Sequence, residues 1–98
     1  MKPVVVSRRA RADLCEIGDV IAADNPSRAR SFVSELRTRC QALGQRPMMG
    51  RPAPEIAPDV RILVFRSDLI LHRVFDDRVS VDRVVHSARD RSTLSPHD

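Results

Sequence analysis

The chain has 98 residues and a net charge of +4, and sixteen of its seventeen basic side chains are arginine. Hydrophobic residues make up 42% and charged residues 31%, which suits one globular domain, excludes a disordered chain and leaves a surface that attracts nucleic acid, anionic membrane or acidic protein. With three phenylalanines and neither tryptophan nor tyrosine, it lacks the aromatic faces on which a single-strand binder stacks bases.

PVVVS, residues 3–7, reads as a short strand of β-branched residues, and Ser7 is placed to cap a following helix. The three valines fall short of a signal peptide's apolar region, and no later run is long enough to span a bilayer. A cytoplasmic chain with reduced thiols and no membrane association is expected. In RRARADLCEIGDVIAAD, Ala10, Leu14, Ile17 and Ile21 recur at helical spacing, while Asp13, Glu16 and Asp19 fall on other faces. Gly18 is costly in a helix interior, by about 1 kcal/mol relative to alanine, and is expected to make room for a neighbouring element. Arg8, Arg9 and Arg11 crowd the N-terminal turn, where positive charge opposes the helix dipole and an acidic partner segment would relieve it.

Asn25 is a good N-cap and Pro26 suits the first position of a second helix. Its stripe of Ala29, Phe32, Val33, Leu36, Cys40 and Leu43 is nearly unbroken, and Gly44 stands where a C-terminal cap favours glycine. The short join between the two helices makes them an antiparallel hairpin. Cys40 sits on the stripe and reads as core, whereas Cys15 lies off its own stripe, partly exposed. The two cysteines lie 25 positions apart without ligand spacing to the histidines, so neither metal nor cofactor is expected.

QRPMMGRPAPEIAPD, residues 45–59, holds four of the seven prolines and reads as loop. Three strand-like runs follow: VRILVF at 60–65, LILHRVF at 69–75 and VSVDRVVH at 79–86, each joined by a gap that suits a hairpin. Alternation puts Val79, Val81 and Val85 on one face of the last strand, with Ser80, Asp82, Val84 and His86 on the other. One face of the sheet is expected on the helices and the other to be more polar. Residues 87–98 carry no apolar pattern and are expected to fray. The expectation is an α+β fold of two layers in the order β-α-α-β-β-β: a helical hairpin on a mostly antiparallel four-stranded sheet. The domain would cover residues 1–90, with a tail at 91–98.

RVVHSARDR, residues 83–91, sets His86 beside Arg89, Asp90 and Arg91. Imidazole moves protons near neutral pH and guanidinium holds phosphate, so these types suit phosphodiester cleavage. They suit a docking surface or a salt-bridged strand end equally, with Asp90 orienting Arg89 or Arg61. The parts available for cleavage are Arg61, Arg73, Arg83, Arg89, His72 and His86.

The ordered set SRRARADLCEIGDVIAADNP, ARSFVSELRTRCQAL, RPMMGRP, DVRILVF, LILHRVF and VDRVVHSARD resembles the ParE branch of the RelE/ParE toxin family of bacterial type II toxin–antitoxin systems, over about residues 4–90. The resemblance implies a two-layer RelE/ParE-like fold and a growth-inhibiting toxin held inactive by a ParD-like antitoxin in a hetero-oligomer. Operator DNA would be met only indirectly, through the antitoxin. ParE-type relatives bind DNA gyrase, which would give Arg61, Arg73, His86, Arg89 and Arg91 the role of target contacts and Arg8, Arg9 and Arg11 that of antitoxin contacts. RelE-type relatives cut messenger RNA on the ribosome, and on that alternative Arg61, His72, His86 and Arg89 would be catalytic. RelE-type sites are rich in lysine and arginine and often carry a catalytic tyrosine near the C-terminus, whereas this chain has only Lys2 and no tyrosine, which favours a non-enzymatic toxin. Gly18, the neighbourhood of Val20 and His72 stand where relatives often carry aromatics, so a third alternative is a non-toxic module that binds the antitoxin and assists repression.

Overall fold

The computed structural model describes residues 1–86, with His86 given by its backbone alone. Residue order runs β1 (Val4–Val6), α1 (Arg8–Ala22), α2 (Pro26–Ala42), β2 (Arg51–Pro52), β3 (Val60–Phe65), β4 (Asp68–Val74) and β5 (Val79–His86). The strands form one sheet in the order β1-β5-β4-β3-β2, antiparallel except where β1 runs parallel to β5. The α+β class and the helical hairpin are as expected. The sheet among the described residues has five strands rather than four, because Arg51 and Pro52 pair with Ile62 and Arg61 inside the segment read as loop. The expected tail at 91–98 lies outside the described residues.

Local chemistry sets the helix ends. Ser7 Oγ accepts from Ala10 N–H and donates to the Asp82 carbonyl, so one hydroxyl caps α1 and ties its start to β5. Asn25 Oδ1 accepts from Arg28 N–H, and Pro26 opens α2. Gly18 admits α2, since a Cβ there would lie 3.2 Å from Val33 Cγ2. Gly44 does follow the helix C-cap, Leu43, but not to supply a left-handed residue, for among the glycines only Gly50 has positive φ. A Cβ on Gly44 would meet the Lys2 carbonyl oxygen at 2.4 Å; the glycine lets the N-terminal segment lie against the end of α2.

The helix-facing core holds Ala10, Leu14, Leu36, Cys40, Leu43, Leu63, Ile70, Val79, Val81 and Val84. Leu36 and Leu43 are wholly buried, each contributing about 2–3 kcal/mol of apolar transfer. Burial pushes the Cys40 thiol up to about 11, which fits a packing residue, and Cys15 is exposed.

The opposite face of the sheet corrects the expectation of a polar surface. Val60, Ile62, Leu69, Leu71 and Val85 make a second apolar cluster there, covered by Ala53, Ile56 and Ala57 of the proline-rich segment. Val85 and Val84 have exchanged the faces that alternation assigns them. The cause is a break in the β4–β5 register: Leu71 pairs with Arg83, whereas the next residue, His72, pairs with Val81. Asp82 is the extra residue, and a bulge of this kind inverts side-chain parity beyond it.

Asp13 lies off the apolar stripe of α1 and is nonetheless enclosed. Only 5% of it is exposed, and it faces β5 rather than solvent. Arg83 Nε donates to Asp13 Oδ2 at 3.0 Å, and Val84 N–H donates to the same oxygen at 2.9 Å. On the far side of the bulge Arg73 Nε donates to Asp82 Oδ2 at 2.6 Å, and Ser80 Oγ to Asp82 Oδ1. The bulge is thus held by a carboxylate–guanidinium pair on each side.

Candidate functional site

The candidate residues divide among four places. The first is a latch beneath residues 47–50. Arg61 and His72 are cross-strand partners on β3 and β4. Arg61 Nη2 donates to the carbonyls of Met48 and Gly50, at 2.8 and 3.0 Å. His72 Nε2 lies 3.0 Å from the Pro47 carbonyl; a carbonyl only accepts, so Nε2 carries the proton and donates. Two strand side chains therefore hold three carbonyls of the proline-rich segment.

His72 is wholly buried. Burial pushes its imidazole below the ordinary value and the charge of Arg61 pushes the same way, while the bond to Pro47 opposes both. A neutral, enclosed imidazole donating to backbone is a structural group. The pH consequence has a definite sign. The unfolded chain protonates His72 near 6.5, and the folded chain resists, so below 6.5 the unfolded state binds more protons. The contribution to stability is full above 6.5 and is lost as pH falls, at no more than about 1.4 kcal/mol per pH unit. Urea unfolding at pH 7 and pH 5.5 is expected to show this loss in the parent and a smaller one in His72→Leu; equal losses would exclude His72 as the source.

The second place is the Arg73 pair with Asp82. Its guanidinium also lies 5.3 Å from the centre of the Phe75 ring, whose other cation, Arg78, lies at 4.2 Å. The third is the end of β5. His86 pairs in register with Asp68, four residues along β4 from His72, or about 13 Å at the usual strand rise. Its side chain and Arg89, Asp90 and Arg91 lie outside the described residues. The backbone positions of the two histidines are thus four residues apart along the sheet, in a register that alternation alone leaves open and the bulge settles.

The fourth is the start of α1. Arg8, Arg9 and Arg11 are all exposed, and Arg9 Nε stands 3.9 Å from Asp13 Oδ1. Arg11 lines a groove with Arg37 of α2, an arginine that the sequence pattern does not single out. Arg83, one of the parts available for cleavage, is only 3% exposed and committed to Asp13. Among the described residues no group of three or more histidine, cysteine, aspartate or glutamate side chains is placed to hold a metal, and no helix is long and apolar enough to cross a membrane.

The family model described as ParE toxin of type II toxin–antitoxin system, parDE, matches residues 4–91. The chain belongs to the ParE toxin family. A similar relative is Toxin ParE1 of Caulobacter vibrioides, 30% identical over 89 residues, which span 90% of this chain and 92% of that protein. Among solved structures, the chromosomal ParDE TA system from P. aeruginosa aligns with a TM-score of 0.79 at 25% identity, over 88% of this chain and 96% of that one. The ParE family match takes in the helical hairpin, the latch and the bulged sheet, all of which lie within residues 4–86.

Proposed function

We propose that this ParE-family chain arrests growth in the cytoplasm by binding DNA gyrase, without catalysing a reaction, and that a ParD-like antitoxin neutralises it. The observation that carries the non-catalytic half is the enclosure of His72. Ribonuclease chemistry needs a base, an acid and cations around one phosphate. Here His72 is enclosed and bonded to Pro47, and the backbone of His86 stands about 13 Å away along the sheet at the usual strand rise. Arg61 and Arg73 hold backbone carbonyls and Asp82, so in this reading they position the face toward the target. In the same reading His86, Arg89 and Arg91 are target contacts. Arg8, Arg9 and Arg11 meet the antitoxin, whose acidic segment relieves the charge at the start of α1. Operator DNA is met only through the antitoxin in the hetero-oligomer.

Expression of the chain without antitoxin is expected to halt DNA synthesis before protein synthesis, with gyrase held on cleaved DNA. Growth should return when the matching antitoxin is supplied. Messenger RNA cut in the first minutes, with translation falling first, would overturn the non-catalytic reading. Unchanged growth with tight antitoxin binding would leave a repression partner instead of a toxin.

A further inference from the structure

α1 and β5 advance side by side in the same direction. Ser7 Oγ donates to the Asp82 carbonyl at the start of the helix, and farther along both elements Asp13 accepts from Val84 N–H. Beyond that point the helix outlasts the strand. Ile21 lies about 12 Å past Asp13 at the usual helix rise, whereas β5 has only Val85 and His86 left. At its last described residue β5 therefore runs toward the final turns of α1.

A groove of about 400 Å³ opens there. Ile17, Val20, Phe32 and Val85 give it apolar surface, Glu16 and Asp68 give it carboxylates, and no arginine or lysine lines it. Asp68 places it at the end of β5, because that residue pairs in register with His86. Val20 is 71% exposed and Glu16 is exposed, so the outer part of the groove is uncovered among the described residues. The last turn of α1 also has no basic residue to meet the negative end of the helix dipole.

The sign of the groove selects among occupants. An acidic segment is repelled by Glu16, and two copies of the chain set groove to groove bring like carboxylates together. The chain itself supplies the opposite charge. Residues 87–98, SARDRSTLSPHD, follow His86 directly and carry Arg89, Arg91 and one large apolar side chain, Leu94. Extended, they would reach about 40 Å, against about 12 Å from Asp13 to Ile21, so length is no obstacle. A segment joined to the chain at the groove meets it at an effective concentration of about millimolar, and few contacts then suffice to hold it.

We propose that the groove beside the C-terminal half of α1 is a docking site for the chain's own residues 87–94, with Arg89 on Glu16 and Leu94 over Val20 and Phe32. Composition alone predicts that this segment frays; the groove supplies the apolar surface that the segment lacks. Where Arg89 is also a target contact, as in the reading above, Glu16 competes with the target for it. The docking itself does not depend on that reading.

The test is cleavage by trypsin after Arg89 and Arg91 in the full chain, followed by mass spectrometry and compared with a synthetic peptide of residues 85–98. Cleavage in the chain is expected to be slower by about tenfold or more. Exchanging Glu16→Gln and Val20→Ser together, at exposed positions where the fold loses little, is expected to bring the rate to within about twofold of the peptide's. Leu94→Ser, outside the described fold, is expected to act in the same direction. Cleavage of the parent at the peptide's rate would overturn the inference. So would protection that survives both sets of exchanges, which puts the segment elsewhere, or protection that fades on dilution, which makes the occupant a second copy. Protection that appears only when antitoxin is added would overturn it as well. None of these measurements reads growth, so a failure of the docking and a failure of the toxin reading are told apart.

Discussion

Asp13→Ala is expected to cost the fold about 3–5 kcal/mol, a large part of the total that holds a domain of this size. The loss has two parts. Arg83, 3% exposed, keeps its charge and loses its partner, and Val84 N–H loses its acceptor. Water does not reach in to replace either at low cost. The pair joins the middle of α1 to the strand beside it, so its loss also loosens the hairpin from the sheet. Urea denaturation of parent and variant measures it. Exchanging both residues together, Asp13→Leu with Arg83→Met, is expected to return much of the stability, because the charge and its partner leave as one. A single variant within 1 kcal/mol of the parent, on the scale of an exposed ion pair, would show that the pair is not buried in solution.

Gly50→Ala is the second large effect, at about 3 kcal/mol from combined backbone strain and overpacking. Gly50 has φ 85°, a conformation that side-chain-bearing residues adopt at a cost. A Cβ there would lie 2.3 Å from the Ile62 carbonyl oxygen and 3.1 Å from Leu63 Cα, both backbone atoms of β3. Neither can rotate aside. The chain must lift away, and the carbonyls of Pro47, Met48 and Gly50 are then pulled from His72 and Arg61. The variant is expected to unfold at lower urea and to show an imidazole resonance for His72 that titrates nearer the ordinary value than in the parent. An unchanged titration with lowered stability would mean that strain is absorbed without opening the latch.

Much of this fold is legible because its helices signal locally. Asn25, Pro26 and the stripe from Ala29 to Leu43 need no distant residue to be interpreted, and α2 lies where they place it. The strands were found as apolar runs, but their faces were harder. VRILVF and LILHRVF are nearly continuous, a pattern of strands buried on both sides, so the second apolar cluster had a signal that alternation obscured. β2 is two residues long and too short to alternate. The bulge at Asp82 has no mark in its own sequence, and with it Val84, Val85 and the spacing of His72 from His86 were misplaced or left open. The burial of Asp13 has no local sign, because its partner is 70 residues away. At the candidate site, residue types were readable and contacts were not: nothing near Arg61 or His72 in the chain announces that both would hold the backbone of residues 47–50.

The place of β5 in the sheet bears on how the molecule is made. It stands between β1 and β4, so β1 waits for a strand far along the chain; the bond from Ser7 to Asp82 closes over a separation of 75. The α1–α2 hairpin and the β3–β4 pair are local and can form as they leave the ribosome, since short loops close at little entropic cost. β1 has no partner until Val79–Val81 emerges, and Arg83 must follow before Asp13 is paired. A growing polypeptide therefore lacks the completed sheet until β5 has emerged. Any function that requires that sheet waits for its central strand, however early β1 was made.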